Sequence, residues 1–173
     1  MLVTSSDKDL SAAPGGGALK ATVTLPRDEQ ILITREFDAP RHLVFKAYTT
    51  PELVRRWFHA NRGEMTVCDI DLRVGGSWRY VMIANGGFEV GFHGEYREVV
   101  PDERLVSTEV YEGAPDAPAL DTVTFTEVDG RTMLSILVQH SSRENRDAHI
   151  NSGMEDGLQD AMSLLAAVLV SLR

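Results

Sequence analysis

The sequence contains a single cysteine, Cys68, so no disulfide can form within the chain. This cysteine usage fits a reducing compartment, and we expect a cytoplasmic protein. Long apolar runs are also missing, since the longest, residues 161–170, is much shorter than the roughly 20 residues that cross a bilayer. Residues 1–20 lack the basic region and apolar stretch of a signal peptide. We therefore expect no membrane insertion.

Positive charge is scarce in the sequence. Its 17 lysines and arginines stand against 26 aspartates and glutamates, which gives a formal net charge of -9. Nucleic acids and anionic lipids are bound by concentrated positive charge, so we expect neither as a partner. Hydrophobic residues, by contrast, make up 43% of the chain, which is enough for a folded core. With 173 residues, the chain is predicted to form one domain.

Motifs that hold metals or cofactors are also absent from the sequence. No two of the five histidines are spaced four apart on a predicted helix, and no cysteine pair accompanies them. The glycine-rich stretches 75–76 and 85–87 join predicted strands, whereas a phosphate-binding loop joins a strand to a helix. No Gly-x-Ser-x-Gly nucleophile motif is present. We predict that the protein needs no metal and no cofactor, and we assign no catalytic residue.

The chain divides into an arm and a domain. Residues 1–18 are rich in serine, alanine and glycine, which predicts a flexible N-terminal arm. Residues 19–173 are predicted to form the folded domain. At its start, segments 21–25 and 30–37 are alternating or rich in β-branched residues, which predicts two strands.

Two short helices are predicted after these strands. Asp38 is expected to cap the first helix, with Pro40 in its first turn. Thr50 and Pro51 are expected to play the same roles in the second helix. Two short helices in succession suit a compact support for a sheet.

A long final helix is predicted over residues 152–172. Its apolar residues recur at steps of three or four, which predicts one buried stripe. The stripe consists of Met154, Leu158, Ala161, Met162, Leu165, Leu169 and Leu172. Because the second half of the helix is apolar nearly all round, the sheet either wraps it deeply or leaves it to form a homodimer.

Six more strands are predicted between the short helices and the final helix. Turn-forming residues separate them, and consecutive strands joined by turns make an antiparallel meander. The predicted strands cover residues 64–72, 77–84, 88–99, 104–111, 121–128 and 131–140.

Polarity sets the register of two hairpins in this meander, because a slip by one residue exchanges the two faces of a strand. A two-residue turn pairs Phe125 with Leu134 in the last hairpin. A three-residue loop ending at Gly87 pairs Tyr80 with Phe92 in an earlier one. The second register predicts one shared face for Trp78, Tyr80, Met82, Phe92, Tyr96 and Glu98.

Several motifs along the chain resemble those of one protein family. They are Arg35-Glu36-Phe37-Asp38-Ala39-Pro40, Val44-Phe45, Pro51-Glu52-Leu53 with Trp57, Asp71-Leu72-Arg73-Val74-Gly75-Gly76 with Trp78, His93-Gly94-Glu95-Tyr96, Pro101 with Glu103-Arg104-Leu105, and Gly153-Met154 with Gly157. From about Ala21 to Leu172 the sequence resembles the bacterial homologues of the heat-shock-protein-90 ATPase activator, within the START-like (SRPBCC) superfamily. The resemblance implies an α+β helix-grip fold, in which a curved antiparallel sheet wraps around a long C-terminal helix. It also implies a cavity between sheet and helix that binds hydrophobic small molecules.

Three functions remain open on these grounds. The first is binding or carriage of a small apolar ligand, either lipid-like or polycyclic aromatic. The second is a cyclase- or hydrolase-type enzyme that uses Tyr96 or Glu98 as acid or base in the same cavity. The third is an interaction module associated with a chaperone. Aromatic rings with polar tips and flexible thioethers suit a ligand cavity, so the candidate ligand-binding residues are Trp57, Trp78, Tyr80, Met82, Phe92, Tyr96, Glu98, Phe125, Met154, Leu158 and Met162.

Overall fold

A computed structural model describes residues 19–173 of the chain, so the predicted flexible arm over residues 1–18 lies outside it. Eight strands and four helices follow one another in this part. They are β1 (Thr22–Thr24), β2 (Gln30–Phe37), α1 (Arg41–Thr49), α2 (Pro51–Val54), β3 (Gly63–Ile70), β4 (Ser77–Ala84), β5 (Glu89–Val100), β6 (Arg104–Tyr111), β7 (Ala119–Val128), β8 (Arg131–His140), α3 (Arg143–Ile150) and α4 (Met154–Ser171).

The eight strands form one antiparallel sheet in the order β1-β2-β8-β7-β6-β5-β4-β3. Strands β3 to β8 are a meander in which each strand pairs with the next, as predicted. Strand β2 pairs with β8, so the beginning of the domain lies beside its last strand. This arrangement, with a long C-terminal helix, confirms the α+β helix-grip fold.

Both predicted hairpin registers are confirmed. Phe125 lies opposite Leu134 in the β7–β8 hairpin. Tyr80 lies opposite Phe92 in the β4–β5 hairpin. The connecting loop has positive φ angles of 118° at Gly86 and 88° at Gly87, a conformation that glycine adopts without steric cost.

The starts of the helices differ in part from the prediction. Helix α1 begins at Arg41, and no side chain caps it. Asp38, the predicted cap, instead lies 3.5 Å from Arg131 and 3.6 Å from Arg173, because two cations nearby attract its carboxylate. Helix α2 does begin with Pro51, although the side chain of Thr50 forms no capping hydrogen bond.

Helix α3 was not predicted from the sequence. Its eight residues, RENRDAHI, are polar on almost every side, so they lack the apolar periodicity that reveals a helix. Ser142 caps it by accepting a hydrogen bond from the Asn145 amide at 3.1 Å. The final helix then starts at Met154, just after Gly153 with its φ of 81°.

The stripe of α4 packs into the core as predicted. Met162 and Leu165 are fully buried, and Leu169 is nearly so. Val168, which the predicted stripe does not include, is buried as well. Val170, on the opposite side of the helix, is 71% exposed. In the part of the chain that the structure describes, no helix is long and apolar enough to cross a membrane.

Candidate functional site

A cavity of about 80 Å³ lies between the sheet and the two short helices. Its lining comes from α1, the turn after α2, and four neighbouring strands, β4 to β7. The lining residues are Tyr48, Phe58, Trp78, Tyr80, Tyr96, Leu105, Ser107, Glu109, Asp121 and Val123.

One side of the cavity is a wall of aromatic rings. The centroid of the Tyr80 ring lies 4.8 Å from that of Trp78 and 4.8 Å from that of Phe58. Tyr48 joins this wall from α1, where its ring packs 5.2 Å from Trp57. The Trp57 indole in turn donates a 3.0 Å hydrogen bond to the Ala47 carbonyl, which ties the turn after α2 to α1.

The opposite side of the cavity is polar. Tyr96, Ser107 and Asp121 lie in one row across β5, β6 and β7, because Ser107 pairs with each of the other two. Glu109, two residues after Ser107, lies next to this row on the same face of β6. Tyrosine and serine hydroxyls and two carboxyl groups thus line a cavity whose remaining walls are apolar.

Among residues 19–173, two buried polar atoms on residues that line this cavity lack a hydrogen-bond partner. They are Nε1 of Trp78, a donor, and Oδ1 of Asp121, an acceptor when ionised. Both residues are more than nine-tenths buried, with exposed fractions of 7% and 8%. Buried polar groups are normally satisfied, and an unsatisfied one costs about 1–3 kcal/mol. Such atoms in a cavity are suited to a polar group of a ligand.

Burial and neighbouring charges change the pKa values of the side chains that line the cavity. Burial raises the pKa of Asp121 well above its ordinary value, and the adjacent Glu109 carboxyl raises it further through its negative charge and a hydrogen bond. Two carboxyl groups so placed favour a state in which one of them holds a proton. Burial also raises the pKa of Tyr48, Tyr80 and Tyr96, so their hydroxyls stay neutral.

A pair of histidines lies close to these carboxyls. Glu109 pairs with Ala119, and Ala119 pairs with His140, so the glutamate and the histidine lie on one sheet face, with Ala119 between them. His140 Nε2 is 3.0 Å from Nδ1 of His149 on α3. Burial lowers the pKa of both histidines, which favours their neutral forms. Within residues 19–173, no three His, Cys, Asp or Glu side chains are grouped so as to hold a metal.

Three of the predicted ligand-binding residues, Trp78, Tyr80 and Tyr96, line the cavity. Three others pack directly behind its walls, at ring-centroid distances of 5.2 to 5.8 Å. Trp57 and Phe125 pack against Tyr48, and Phe92 packs against Phe58.

The predicted residues of α4 do not line this cavity. Met162 is fully buried, and Met154 and Leu158 are half-buried against the core. The cavity therefore lies beside α1 and the turn after α2. It does not lie beneath the C-terminal helix, as the resemblance implied, because the apolar stripe of α4 is packed into the core. Met82, near the end of β4 between Met65 and Val90, also lies outside the lining.

Glu98 faces away from the cavity, which corrects the prediction that it shares a face with Trp78. A β-bulge between Tyr96 and Glu98 adds a residue to β5, so Glu98 lies opposite Val106. The extra residue reverses the alternation of faces beyond the bulge. The Glu98 carboxylate lies 3.3 Å from Arg104 in an exposed ion pair.

Sequence reasoning identified Tyr96 but missed the other residues on the polar side of the cavity, Ser107, Glu109 and Asp121. The register of the β7–β8 hairpin predicts that Val123 and Phe125 point inward, and Asp121 is two residues before Val123 on the same face. A carboxyl group at an inward position was the signal that could have revealed the site. Glu109 had no such signal, because only the pairing of β6 with β7 brings it next to Asp121.

Comparisons with known proteins agree with this fold. Residues 38–170 match the family model described as Activator of Hsp90 ATPase homolog 1-like protein. A crystal structure of a protein from Rhodobacter sphaeroides is 27% identical, has a TM-score of 0.83, and aligns over 89% of this chain and 100% of its own. Protein Ms6760 from Mycobacterium smegmatis is 25% identical, with a TM-score of 0.77 over 86% of this chain and 96% of its own.

A more distant likeness shows the fold alone. DynU16, a protein in the dynemicin biosynthetic locus, is 22% identical and has a TM-score of 0.64. The alignment covers 85% of this chain and 49% of DynU16. No curated protein matches the sequence.

Proposed function

The chain belongs to the Activator of Hsp90 ATPase homolog 1-like family, and from that premise we propose that it binds a small, mostly apolar molecule in the aromatic cavity. One observation carries the proposal. Trp78 Nε1 and Asp121 Oδ1 are buried without a partner among the described residues, and both residues line a cavity that has a wall of aromatic rings. A ligand with one polar group would satisfy such an atom while its apolar part replaces water against the rings.

The size of the cavity limits what enters it. A cavity of about 150 Å³ accommodates benzene, whereas this one measures about 80 Å³. A fatty acid or a polycyclic aromatic molecule, the ligands that the resemblance suggests, would need the short helices to move outward. The geometry favours a ligand whose narrow polar end enters the cavity first.

An enzyme of the cyclase or hydrolase type is the second candidate. Its support is the raised pKa of Asp121 beside Glu109, since a carboxylic acid kept protonated in an apolar site can act as a general acid. Tyr96 lines the cavity, but burial raises the pKa of its hydroxyl, which makes the hydroxyl a weaker acid. Glu98 has no part in this alternative, because it lies on the other face of the sheet.

Support for the chaperone-associated module is weaker. That function calls for a contiguous apolar patch on the surface. Apart from Val170 on α4, the most exposed large apolar side chains among residues 19–173 are Val74, Phe88 and Val128. They lie in or beside three different turns, after β3, after β4 and at the end of β7.

The two indole N–H groups give a direct test of binding. Trp78 Nε1 is buried without a partner among the described residues, whereas Trp57 Nε1 donates a hydrogen bond to the Ala47 carbonyl. In nitrogen–proton correlation spectra, tert-butanol, tert-butylamine, pivalate and phenol serve as probes. We expect at least one probe to shift the Trp78 indole resonance in a saturable manner and to leave that of Trp57 almost unchanged.

A matched pair of variants locates the binding site. Ser107→Leu adds volume inside the cavity, and Ser135→Leu adds the same volume on the opposite face of the sheet, since Ser135 lies between the inward-facing Leu134 and Ile136. Ser107→Leu should abolish the shift, and Ser135→Leu should retain it. If no probe moves the Trp78 resonance, or if Ser107→Leu binds like the parent, the proposal is wrong.

A further inference from the structure

We propose that the polar group taken into this cavity is an organic cation, such as a protonated alkylamine. The inference rests on the proposed function, because it assigns the class of ligand to the same cavity. It follows from three features of the cavity lining: two carboxyl groups, several aromatic rings and the lack of a lysine or arginine side chain.

The negative charge of the cavity has no compensating cation there. Asp121 and Glu109 both line it, and no lysine or arginine does so. Arginines on the neighbouring strands are paired with other carboxylates, since Arg79 pairs with Glu112 at 2.8 Å, Arg97 with Glu95 at 3.2 Å and Arg104 with Glu98 at 3.3 Å. A buried carboxyl group without a cationic partner is costly, and an incoming cation would supply that partner.

The aromatic wall is suited to the same ligand. A cation within about 6 Å of a ring face is attracted by the negative potential of that face, most strongly for Trp and then for Tyr and Phe. Here the ring centroid of Tyr80 lies 4.8 Å from those of Phe58 and Trp78. Tyr48 and Tyr96 line the same cavity. Rings and carboxyls together would bind the charged nitrogen and the carbons attached to it.

Other charge classes fit the cavity less well. An anion would meet two carboxyl groups and the electron-rich faces of the rings, both of which repel negative charge. A neutral alcohol could accept a hydrogen bond from Trp78 Nε1, but it would bring no positive charge to the two carboxyl groups. The volume of about 80 Å³ also suits a compact ammonium group whose substituent extends out of the cavity.

Three probes of nearly identical shape test the assignment. tert-Butylammonium, tert-butanol and pivalate differ mainly in charge, and their dissociation constants can be read from the Trp78 indole resonance. We expect the ammonium ion to bind about tenfold or more tightly than the alcohol, because an added cation–π and ionic attraction of about 1.4 kcal/mol corresponds to that ratio. Pivalate should bind most weakly.

Carboxyl variants connect the preference to the cavity. Asp121→Asn keeps the shape of the side chain and removes its carboxyl group, so it should reduce the ammonium-to-alcohol ratio while the alcohol still binds. Glu109→Gln should act in the same direction. Glu112→Gln removes a carboxylate of the same type that lies outside the cavity with Arg79, and it should leave the ratio unchanged.

The preference should also depend on pH. Cation binding favours the ionised carboxyls, so the affinity for the ammonium ion should increase from pH 5 to pH 8 while that for the alcohol stays constant. Protonation of His140 and His149 at low pH would repel the cation and so acts in the same direction, and the neutral hydroxyls of Tyr48, Tyr80 and Tyr96 add no charge in this range. Asp121→Asn should reduce the dependence of the ammonium affinity on pH.

The outcomes separate this inference from the proposed function. If the alcohol or pivalate binds as tightly as the ammonium ion, or if Asp121→Asn keeps the preference, the ligand is not a cation, although the cavity is still a binding site. An ammonium affinity that does not change with pH also overturns the inference. If none of the probes moves the Trp78 resonance, the proposed function fails and the inference fails with it.

Discussion

Asp121 combines more unfavourable features than any other residue of the cavity. It sits on an inward-facing position of β7 with an exposed fraction of 8%, and one of its oxygens has no partner within residues 19–173. Val123 and Phe125, the next inward residues of the strand, are the apolar type that such positions normally hold. A carboxyl group in that series costs folding free energy, which makes a functional role the best explanation for it.

This cost should be measurable as a function of pH. Because the pKa of Asp121 is raised in the folded state, the folded protein keeps a proton that the unfolded chain loses above a pKa of about 3.9. The free energy of unfolding therefore falls as the pH rises from about 4 to the raised pKa. Asp121→Asn removes this loss. At pH 8 the variant should be more stable than the parent by about 1.4 kcal/mol for each pH unit between the two pKa values.

Urea denaturation at pH 4, 6 and 8 measures the difference, which should shrink towards zero at pH 4. Glu112→Gln is the control. A side-chain hydrogen bond from Arg79 lowers the pKa of Glu112, so its removal should bring no gain at high pH. A constant difference between Asp121→Asn and the parent at all three pH values would contradict the assigned burial cost.

At the scale of the elements, β5 and α4 determine where the cavity lies. The bulge in β5 turns Glu98 outward, and Tyr96, just before it, remains inward. Helix α4 packs its stripe into the core so closely that Leu165 has no exposed surface. The cavity lies beneath α1 and the turn after α2, between large aromatic residues and the polar residues of β6 and β7.

Two substitutions in α4 test its place in the core. Leu165→Ala should lower the free energy of unfolding by about 2–5 kcal/mol, because it removes a fully buried side chain and leaves a cavity. Val170→Ala, five residues further along the same helix, should change it by less than about 0.5 kcal/mol, since that side chain is 71% exposed. Chemical denaturation measures both values. A loss of less than about 0.5 kcal/mol for Leu165→Ala would mean that the helix is peripheral.

At the scale of the whole molecule, the pairing of β2 with β8 joins the two ends of the domain. The sheet is complete only when residues 30–37 meet residues 131–140. Helix α1 packs on β7, β8 and α4 and so contacts the late elements as well. Because early and late segments of the chain complete one sheet, we predict that the domain unfolds in one cooperative transition.

Two tryptophans allow this cooperativity to be checked. Trp78→Phe leaves Trp57 as a reporter of the helical side, and Trp57→Phe leaves Trp78 as a reporter of the sheet. Both fluorescence curves should coincide with that of far-ultraviolet circular dichroism across a urea titration. If the Trp57 signal changes at a clearly lower urea concentration than the others, the short helices open separately from the sheet.

The sequence alone was sufficient for the strands, two hairpin registers and the buried stripe of α4. These features depend on neighbouring residues: alternation with a period of two, helical spacing of three to four, and glycines at positions of positive φ. The Tyr80–Phe92 pairing could be inferred because only one register gathers the apolar side chains on one face. The same local patterns placed Trp78, Tyr80 and Tyr96 together correctly.

Only the tertiary structure decided the rest of the site. The bulge after Tyr96 depends on how β5 pairs with β6, and no local pattern marks it. Glu109 and Asp121 are twelve residues apart in the sequence and become neighbours through the β6–β7 register, while Tyr48 reaches them from α1. Burial and the proximity of like charges raise the pKa of Asp121, and both arise only when distant segments pack together. For that reason the aromatic residues of β4 and β5 could be predicted from the sequence, whereas Tyr48, Phe58 and the two carboxyl groups could not.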